Sequence, residues 1–325
     1  MFKDTLQKMF QRFLLLVGIT LISFFVIHLA PGTPGAGEGL NSKMDSHARE
    51  KMEKLYGLDQ PLFVQYGRWM KRILHLDFGE SFADGEKVTE KIGKAIPITL
   101  GISLLSLMLI FTIGIPLGVF GATHRGKWTD HLLSFGTFAG ISMPTFWLAL
   151  VSITFFGISW RILPVSGLHS LFSEERPFSW QCLDLAKHLV LPVCVNAVAS
   201  LAMLSRFVRA NMIHVLGENY IRTARAKGLS ERQVIYKHAL KNAMLPVITI
   251  LGLSLPALFG GSVIVETVFS IPGMGRLFFS SVFGRDYPVI MAILVLGAFL
   301  TLLGNWLADI AYAWADPRIR SDLKS

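Results

Sequence analysis

One stretch of this sequence has the spacing of a nucleotide-binding motif. Residues 121–128 read Gly-Ala-Thr-His-Arg-Gly-Lys-Trp, with the glycine and lysine spacing of a phosphate-binding loop. Trp128, however, stands where a Ser or Thr hydroxyl would bind magnesium, and an apolar run rather than a strand precedes the stretch. We therefore predict that this chain does not hydrolyse ATP itself.

Histidine and cysteine do not form a recognisable metal centre. The nine His residues include no pair at ligand spacing on one predicted helix, and His28 stands alone in an apolar run, where we expect a packed or interfacial side chain. Two cysteines, Cys182 and Cys194, exclude a disulfide framework and a Cys-rich zinc module. The sequence predicts no metal site and no cofactor in this chain.

Two acidic residues stand at the ends of apolar runs. Glu266 and Asp309 are functional candidates because an acid at membrane depth is costly and needs a reason. Glu266 begins just outside its charge-free run, so we expect a boundary position with a buried partner rather than a place on a transport path.

The composition excludes an ordinary soluble domain. Of the 325 residues, 52% are hydrophobic and 16% are charged, whereas soluble chains carry about 25% charged residues. The mean hydropathy is +0.51. The net charge of +9 lies in clusters between long charge-free runs, whereas a nucleic-acid-binding protein spreads Lys and Arg over a polar surface. We predict a chain embedded in membrane lipid that binds no nucleic acid.

Six charge-free runs have about the length needed to cross a bilayer. A hydrocarbon core of about 30 Å requires about 20 mostly apolar residues in a helix, and barrel strands would be shorter and alternating. The runs are 13–30, 95–123, 132–160, 188–205, 242–265 and 287–308. We predict an all-α polytopic membrane protein with six transmembrane helices. The first run is near full span length, so we expect it to be retained rather than cleaved as a signal peptide.

The positions of Lys and Arg predict that both termini are cytoplasmic. In that orientation the inner segments hold sixteen Lys and Arg residues and the short outer loops hold five, as the positive-inside rule requires. The overall charge therefore reports topology and need not indicate an acidic partner.

The chain divides at the ends of these runs into three parts. Residues 1–94 contain the first helix and a large outer segment, residues 95–313 form a five-helix core with an inner loop at 206–241, and residues 314–325 are an inner tail.

The outer segment has a helical pattern of its own. A helix from Asp45 through Leu55 would end at Gly57, and Pro61 suits the first position of the next helix. The apolar residues that then recur at helical spacing are Leu62, Phe63, Tyr66, Trp69, Met70, Ile73 and Leu74. We expect this helix to lie on the membrane or on the protein's own outer face. A docking surface or lid for an external partner is the second interpretation.

Glycine and proline within the runs predict how the helices pack and bend. Four-residue spacing of Gly114 with Gly118, and of Gly136 with Gly140, permits close helix packing. The prolines inside the runs, which bend helices or free carbonyl groups, are Pro116, Pro144, Pro192 and Pro256.

The inner loop between the fourth and fifth runs is predicted to be a helix, a glycine break and a second helix. Residues 220–226 suit a short helix that stops at Gly228. Ser230 and Gln233 have the spacing of a capping box that begins a helix running to about Ala243. An ordinary basic loop would explain the charges, but not the small residues on so short a helix, which are expected where another protein comes close.

Residues 219–230, Asn-Tyr-Ile-Arg-Thr-Ala-Arg-Ala-Lys-Gly-Leu-Ser, resemble the coupling loop of ABC-importer permeases, most closely the dipeptide, oligopeptide and nickel branch. The general family pattern places Glu-Ala-Ala six to four residues before a glycine. This sequence has Arg222, Thr223 and Ala224 before Gly228, so only the last alanine and the glycine match. The segment His-Ala-Leu at 238–240, followed by a later Leu-Pro, is similar to the peptide and nickel branch.

Further motifs extend the resemblance over nearly the whole chain. They are Gly-Leu-Asp-Gln-Pro-Leu at 57–62, Leu-Asp-Phe-Gly at 76–79, Ser-Phe at 81–82, Pro-Gly-Met-Gly-Arg at 272–276, Arg-Asp-Tyr-Pro-Val at 285–289 and Asp-Pro-Arg-Ile-Arg at 316–320.

The resemblance implies a type I ABC-importer permease fold in a bacterial inner membrane and a transport subunit without enzymatic activity. Two permeases of that family line one path, two ATPase subunits beneath them bind ATP and magnesium, and an outer solute-binding protein delivers the substrate. We therefore expect a second homologous permease, two ATPases and a solute-binding protein as partners, and the branch favours a heterodimer of related permeases.

The resemblance also assigns the coupling residues and the substrate class. The small side chains that would let the short helix enter an ATPase cleft, with Gly228 supplying the turn, belong to Thr223, Ala224, Ala226, Gly228 and Leu229. Peptides are the expected substrate, and nickel or another small solute of the same branch is the alternative. A stand-alone secondary carrier would show inverted repeats with charges near the midplane, and a membrane enzyme would show clustered His, Asp, Glu or Cys. We find neither pattern in the sequence.

Overall fold

The computed structural model describes residues 2–29, 60–244, 246–247 and 257–315, and in these residues the regular structure is helical. In chain order the α-helices are α1 (Phe2–Leu29), α2 (Leu62–Leu74), α3 (Val88–Thr123), α4 (Trp128–Ser142), α5 (Thr145–Ser152), α6 (Phe178–Leu216), α7 (Asn219–Ala226), α8 (Glu231–Gln233), α9 (Leu240–Ala243), α10 (Ala257–Gly260), α11 (Val263–Val268), α12 (Met274–Gly284) and α13 (Tyr287–Ala315). Two π-helical turns continue this structure, Ile153–Ser159 after α5 and Val234–Ala239 between α8 and α9.

Four helices of the described residues are long and apolar enough to cross a membrane. The spans are Phe10–Leu29, Val88–Thr123, Phe178–Leu216 and Tyr287–Trp306. They contain or overlap the first, second, fourth and sixth predicted runs. The helices around the second and fourth runs extend well beyond them, because a charge-free run marks the hydrocarbon layer and not the helix ends. In the fifth run, 242–265, residue 245 and residues 248–256 lie outside the described part of the chain.

The third predicted run is not one straight helix. α4 and the helix formed by α5 with its π turn meet at an angle of 103°. The break lies at Pro144, which has no N–H to continue the hydrogen bonds of α4, and the preceding Met143 is extended (φ −79°, ψ 124°) as residues before proline usually are. The bend is the expected effect of a proline inside the third predicted run. Pro192, by contrast, lies inside the continuous helix α6.

The chain forms two compact units. The terminal unit comprises residues 1–98 and 273–325, and the central unit comprises residues 99–272. In the terminal unit α13 packs against α1 and α12. Its main core, built by the first turns of α3 with α12 and α13, contains Val88, Ile92, Ala95, Met274, Val289 and Ala292.

The central unit is organised around α6, which packs against α4 and α5. Near the end of α6 a buried cluster joins this helix to the last turns of α3, to α7 and to the segment after α7. Its members are Val119, Ala122, Leu204, Val208, Met212, Ile221, Ala224, Val234, Ala239, Ala243 and Val247. We call this set the inner cluster.

Three of the four predicted packing glycines lie against α6. A Cβ atom at Gly118 would come within 2.7 Å of the Ser205 carbonyl oxygen, and Cβ atoms at Gly114 and Gly140 would lie 3.3 Å from side chains of α6. A Cβ atom at Gly136 would meet nothing within 4 Å. The packing prediction is therefore confirmed for three positions, and at Gly136 no described residue makes such a close approach.

The amphipathic helix of the outer segment lies against α1. It begins at Leu62, with Pro61 as the residue before the helix rather than its first member. The hydroxyl groups of Tyr66 and Thr20 lie 3.0 Å apart, and the Trp69 ring centroid lies 5.9 Å from that of Phe24. The helix thus lies on the protein's own surface, as the first interpretation of this segment allows. The helix predicted from residue 45 falls outside the described residues.

Candidate coupling site

Helix α6 carries the chain into the candidate site. It continues past the predicted end of the fourth span and stops at Leu216, where the N–H of Gly217 bonds to the His214 carbonyl oxygen. The inner loop predicted from residue 206 therefore begins as regular helix. Only Gly217 and Glu218 separate α6 from α7, so the two helices are closely linked.

The predicted glycine break is confirmed. Gly228 has φ +79°, a conformation that side chains with a Cβ atom rarely adopt. Its N–H donates to the Arg225 carbonyl oxygen (2.9 Å), and the next N–H, of Leu229, approaches the Ala224 carbonyl oxygen at 3.4 Å. These bonds satisfy carbonyl groups at the end of α7 and turn the chain.

The predicted capping box is also confirmed. The Gln233 N–H donates to Ser230 Oγ, and the Ser230 N–H donates to Gln233 Oε1. The helix that follows is not uniform, because the π-helical turn Val234–Ala239 separates α8 from α9.

One face of α7 is buried in the protein's own inner cluster. Ile221 is 0% exposed and Ala224 is 8% exposed, and both belong to that cluster with Val208 and Met212 of α6. The sequence prediction placed Ala224 on a partner surface. The structure instead explains its small side chain by internal packing.

The other face of α7 and the turn after it are open to solvent. The exposed candidate residues are Thr223, Ala226, Gly228 and Leu229. Arg225 on this face forms an exposed ion pair with Glu231, with Nε to Oε1 at 2.8 Å. A contact that sequence reasoning missed is the bond from Asn242 Nδ2 to Tyr220 Oη at 2.8 Å, which ties the start of α7 to α9. The geometry supports a firmly held helix presenting four small or apolar residues.

The phosphate-loop-like stretch forms a tight turn between two helices. α3 ends at Thr123, α4 begins at Trp128, and Gly126 between them has φ +78°. The Gly126 N–H donates to Asp130 Oδ2 at 3.0 Å. A turn between helices differs from the strand, loop and helix of a phosphate-binding loop.

Glu266 and His28 have internal partners. Glu266 is 2% exposed, and Thr99 Oγ1 donates to its Oε1 at 3.0 Å, so the expected buried partner is present. The His28 ring stacks on Phe24 with centroids 3.9 Å apart, as expected for a packed histidine. Asp309 lies in α13, but its side chain is outside the described part of the chain.

The terminal unit brings together two of the motifs noted in the sequence. The buried carboxylate of Asp286 accepts bonds from Ser81 Oγ and from the Phe82 N–H (3.0 Å). Nearby in the same segment, Arg72 Nε donates to Asp77 Oδ2 at 2.8 Å, and this bond lowers the pKa of the exposed Asp77 carboxyl. The sequence contained both motifs but no signal that they meet.

Among the described residues, no three His, Cys, Asp or Glu side chains are grouped so that they could hold a metal ion.

Family models match almost the entire chain. Residues 114–321 match the family described as the binding-protein-dependent transport system inner membrane component, and residues 1–103 match the N-terminal family of the same membrane component. The chain belongs to this family. It is a multi-pass permease component of the bacterial inner membrane.

Named relatives match over nearly their full length. The oligopeptide transport system permease protein AppB of Bacillus subtilis is 43% identical over 306 residues, covering 94% of this chain and 95% of the relative. The di/tripeptide transport system permease protein DppB of Pseudomonas aeruginosa is 37% identical, covering 93% and 94%. The dipeptide permease protein DppB of Alkalihalophilus pseudofirmus is 35% identical, covering 94% and 95%.

One solved structure shows the fold at lower identity. A chain of the MetNI methionine ABC transporter, in an inward-facing conformation, is similar with a TM-score of 0.53 and 20% identity. The match covers 69% of this chain and 96% of that chain. The family membership places the permease in an ABC importer together with other subunits, and the MetNI chain shows the fold.

Proposed function

We propose that this chain is one permease subunit of an ATP-driven importer of dipeptides or oligopeptides, with six transmembrane helices and both termini in the cytoplasm. The observation that carries the substrate class is the near-complete match to permease proteins named for oligopeptide and di/tripeptide transport. The sequence alternative of nickel or another small solute has no observation in its favour.

We infer that α7 is the contact with an ATPase subunit. Its exposed residues Thr223, Ala226, Gly228 and Leu229 have small or apolar side chains, and the exposed Arg222, Arg225 and Lys227 lie among them. The small side chains suit insertion into a cleft of another protein. Because Ile221 holds the opposite face at zero exposure, a displacement of α7 would be passed to α6 rather than absorbed by a loose loop.

The remaining partners follow from the same proposal. Two ATPase subunits bind and hydrolyse ATP with magnesium, so this chain needs no cofactor of its own. A second, related permease completes the path, and an outer solute-binding protein delivers the peptide.

The first test is purification of the tagged chain from native membranes in mild detergent, followed by mass spectrometry. We expect two kinds of partner, ATPase subunits and a second permease. Recovery of the well-folded chain alone, at normal abundance, would contradict the importer assignment.

A variant of the exposed face tests the role of α7. Ala226→Trp places a large side chain on the exposed face, and we expect the recovered ATPase to fall roughly tenfold or more, equivalent to about 1.4 kcal/mol of binding free energy. His214→Trp is the matched control, because His214 is 79% exposed on α6 just before α7. Equal ATPase recovery with both variants would show that α7 is not the contact.

A further inference from the structure

A bidentate ion pair with a buried carboxylate and a partly exposed guanidinium joins α6 to the start of α4. Arg209 Nε donates to Asp130 Oδ1 and Arg209 Nη2 donates to Asp130 Oδ2, both at 2.7 Å. Asp130 is 3% exposed, and the Gly126 N–H adds a third bond to its carboxylate. Paired hydrogen bonds between a guanidinium and a carboxylate fix both the distance and the relative angle of the two groups.

Arg209 is also packed against the last turns of α3. A Cβ atom at Gly121 would lie 3.0 Å from Arg209 Cδ, so the glycine leaves room for the arginine stem. Three helices therefore meet at this one side chain. One turn earlier on α6, the guanidinium of Arg206 lies 4.0 Å from the centroid of the Phe138 ring of α4, a second contact between the same two helices.

The same part of α6 holds the candidate coupling helix. Val208 and Met212, on either side of Arg209 in the sequence, are fully buried in the inner cluster with Ile221 of α7. Arg209 lies about 10 Å before the end of α6 at 1.5 Å per residue. A displacement of α7 thus acts first on the helix segment that carries Arg209.

We propose that the Arg209–Asp130 pair is a positioning link that passes displacements of α7 to α4. This inference rests on the proposed function, in which α7 contacts an ATPase. Apolar contacts in the inner cluster are non-directional and allow helices to slide, whereas the paired hydrogen bonds oppose sliding. α4 leads directly into the 103° bend before α5. A movement at the start of α4 would therefore be passed through this bend to α5.

The test uses the complete complex with its ATPases, reconstituted in lipid vesicles, and measures peptide uptake and ATP hydrolysis in the same preparation. Arg209→Lys keeps the charge but loses the paired geometry, and Asp130→Asn loses the charge. For both we expect normal recovery of ATPase subunits, near-normal ATP hydrolysis, and a fall of at least about fivefold in peptide imported per ATP, the lower end of typical coupling effects.

The control is His214→Gln, a substitution of an exposed residue on the same helix. It should leave the amount of peptide imported per ATP unchanged. If Arg209→Lys leaves the amount of peptide imported per ATP unchanged, including the case in which uptake and hydrolysis fall in proportion, the proposal is wrong. The ion pair would then stabilise the structure without passing on displacements of α7. If Asp130→Asn does not accumulate, the ratio for Arg209→Lys alone decides. Absence of ATP-dependent uptake in the unaltered complex would instead overturn the proposed function itself.

Discussion

At the scale of single residues, Gly228 is distinctive for its backbone rather than for crowding. A Cβ atom there would meet nothing within 4 Å, but φ is +79°. The requirement for glycine therefore comes from the left-handed conformation, and the open space around the residue is available to a partner.

Gly228→Val should weaken ATPase association and reduce or abolish peptide uptake while leaving membrane insertion intact. The left-handed conformation costs an ordinary residue about 1–2 kcal/mol, and a β-branched residue is a severe outlier there, so the turn should rearrange. Uptake into vesicles and recovery of ATPase subunits measure the effect.

Gly228→Asn is the matched control because asparagine tolerates this conformation. It should retain ATPase recovery if the turn alone matters. Normal transport by Gly228→Val would show that the turn after α7 has no part in coupling.

At the scale of helices, the crossing of α3 and α6 depends on close backbone approach. Gly118→Ala should lower the apparent midpoint of thermal unfolding in detergent, because its Cβ would lie 2.7 Å from both the Ser205 carbonyl oxygen and Val208 Cβ. Overpacking of this kind costs about 1–3 kcal/mol, which exceeds the gain of roughly 0.5–1 kcal/mol from replacing a helical glycine.

Gly136→Ala provides the comparison on α4. Its Cβ would meet nothing within 4 Å, so the midpoint should stay the same or rise slightly. If both alanine variants behaved alike, the close approach at Gly118 would not limit stability.

The segment before α3 is held to the start of α13 by a carboxylate. Asp286→Asn should destabilise the protein by about 1.5–3 kcal/mol, the usual contribution of hydrogen bonds to a charged group, because Asp286 accepts bonds from Ser81 and Phe82. Thermal unfolding in detergent measures the change.

Asp84→Asn is the control for charge removal in the same segment. Its ion pair with Lys91 is half exposed on the Asp84 side, and such pairs contribute about 0–1 kcal/mol. A loss as large as that of Asp286→Asn would mean that removal of charge, rather than the buried bonds, explains the effect.

At the scale of the whole molecule, orientation in the membrane decides whether α7 can reach an ATPase. With Cys182 and Cys194 replaced by serine, we expect a cysteine at Lys227→Cys to react with a membrane-impermeant maleimide only in inverted vesicles. A cysteine at Thr89→Cys should react in intact spheroplasts. Both residues are exposed in this chain. Membranes are stripped of ATPase subunits before labelling so that the proposed contact does not shield residue 227, and the reverse pattern would reject the proposed topology.

The sequence by itself determined the features that depend on neighbouring residues. Long charge-free runs placed four of the spanning helices, because helix length must match the hydrocarbon layer. The glycine break at Gly228 and the capping box at Ser230 and Gln233 were predictable because both are set within a few residues of chain.

Only the tertiary structure decided which residues meet across the chain. Arg209 pairs with Asp130 at a separation of 79 residues, and Ser81 pairs with Asp286 at a separation of 205. The tertiary structure also buries Ala224 while leaving Thr223 exposed, and it determines the angle of 103° at Pro144. These outcomes depend on how helices pack and in which register, and no local pattern of residue types specifies that geometry.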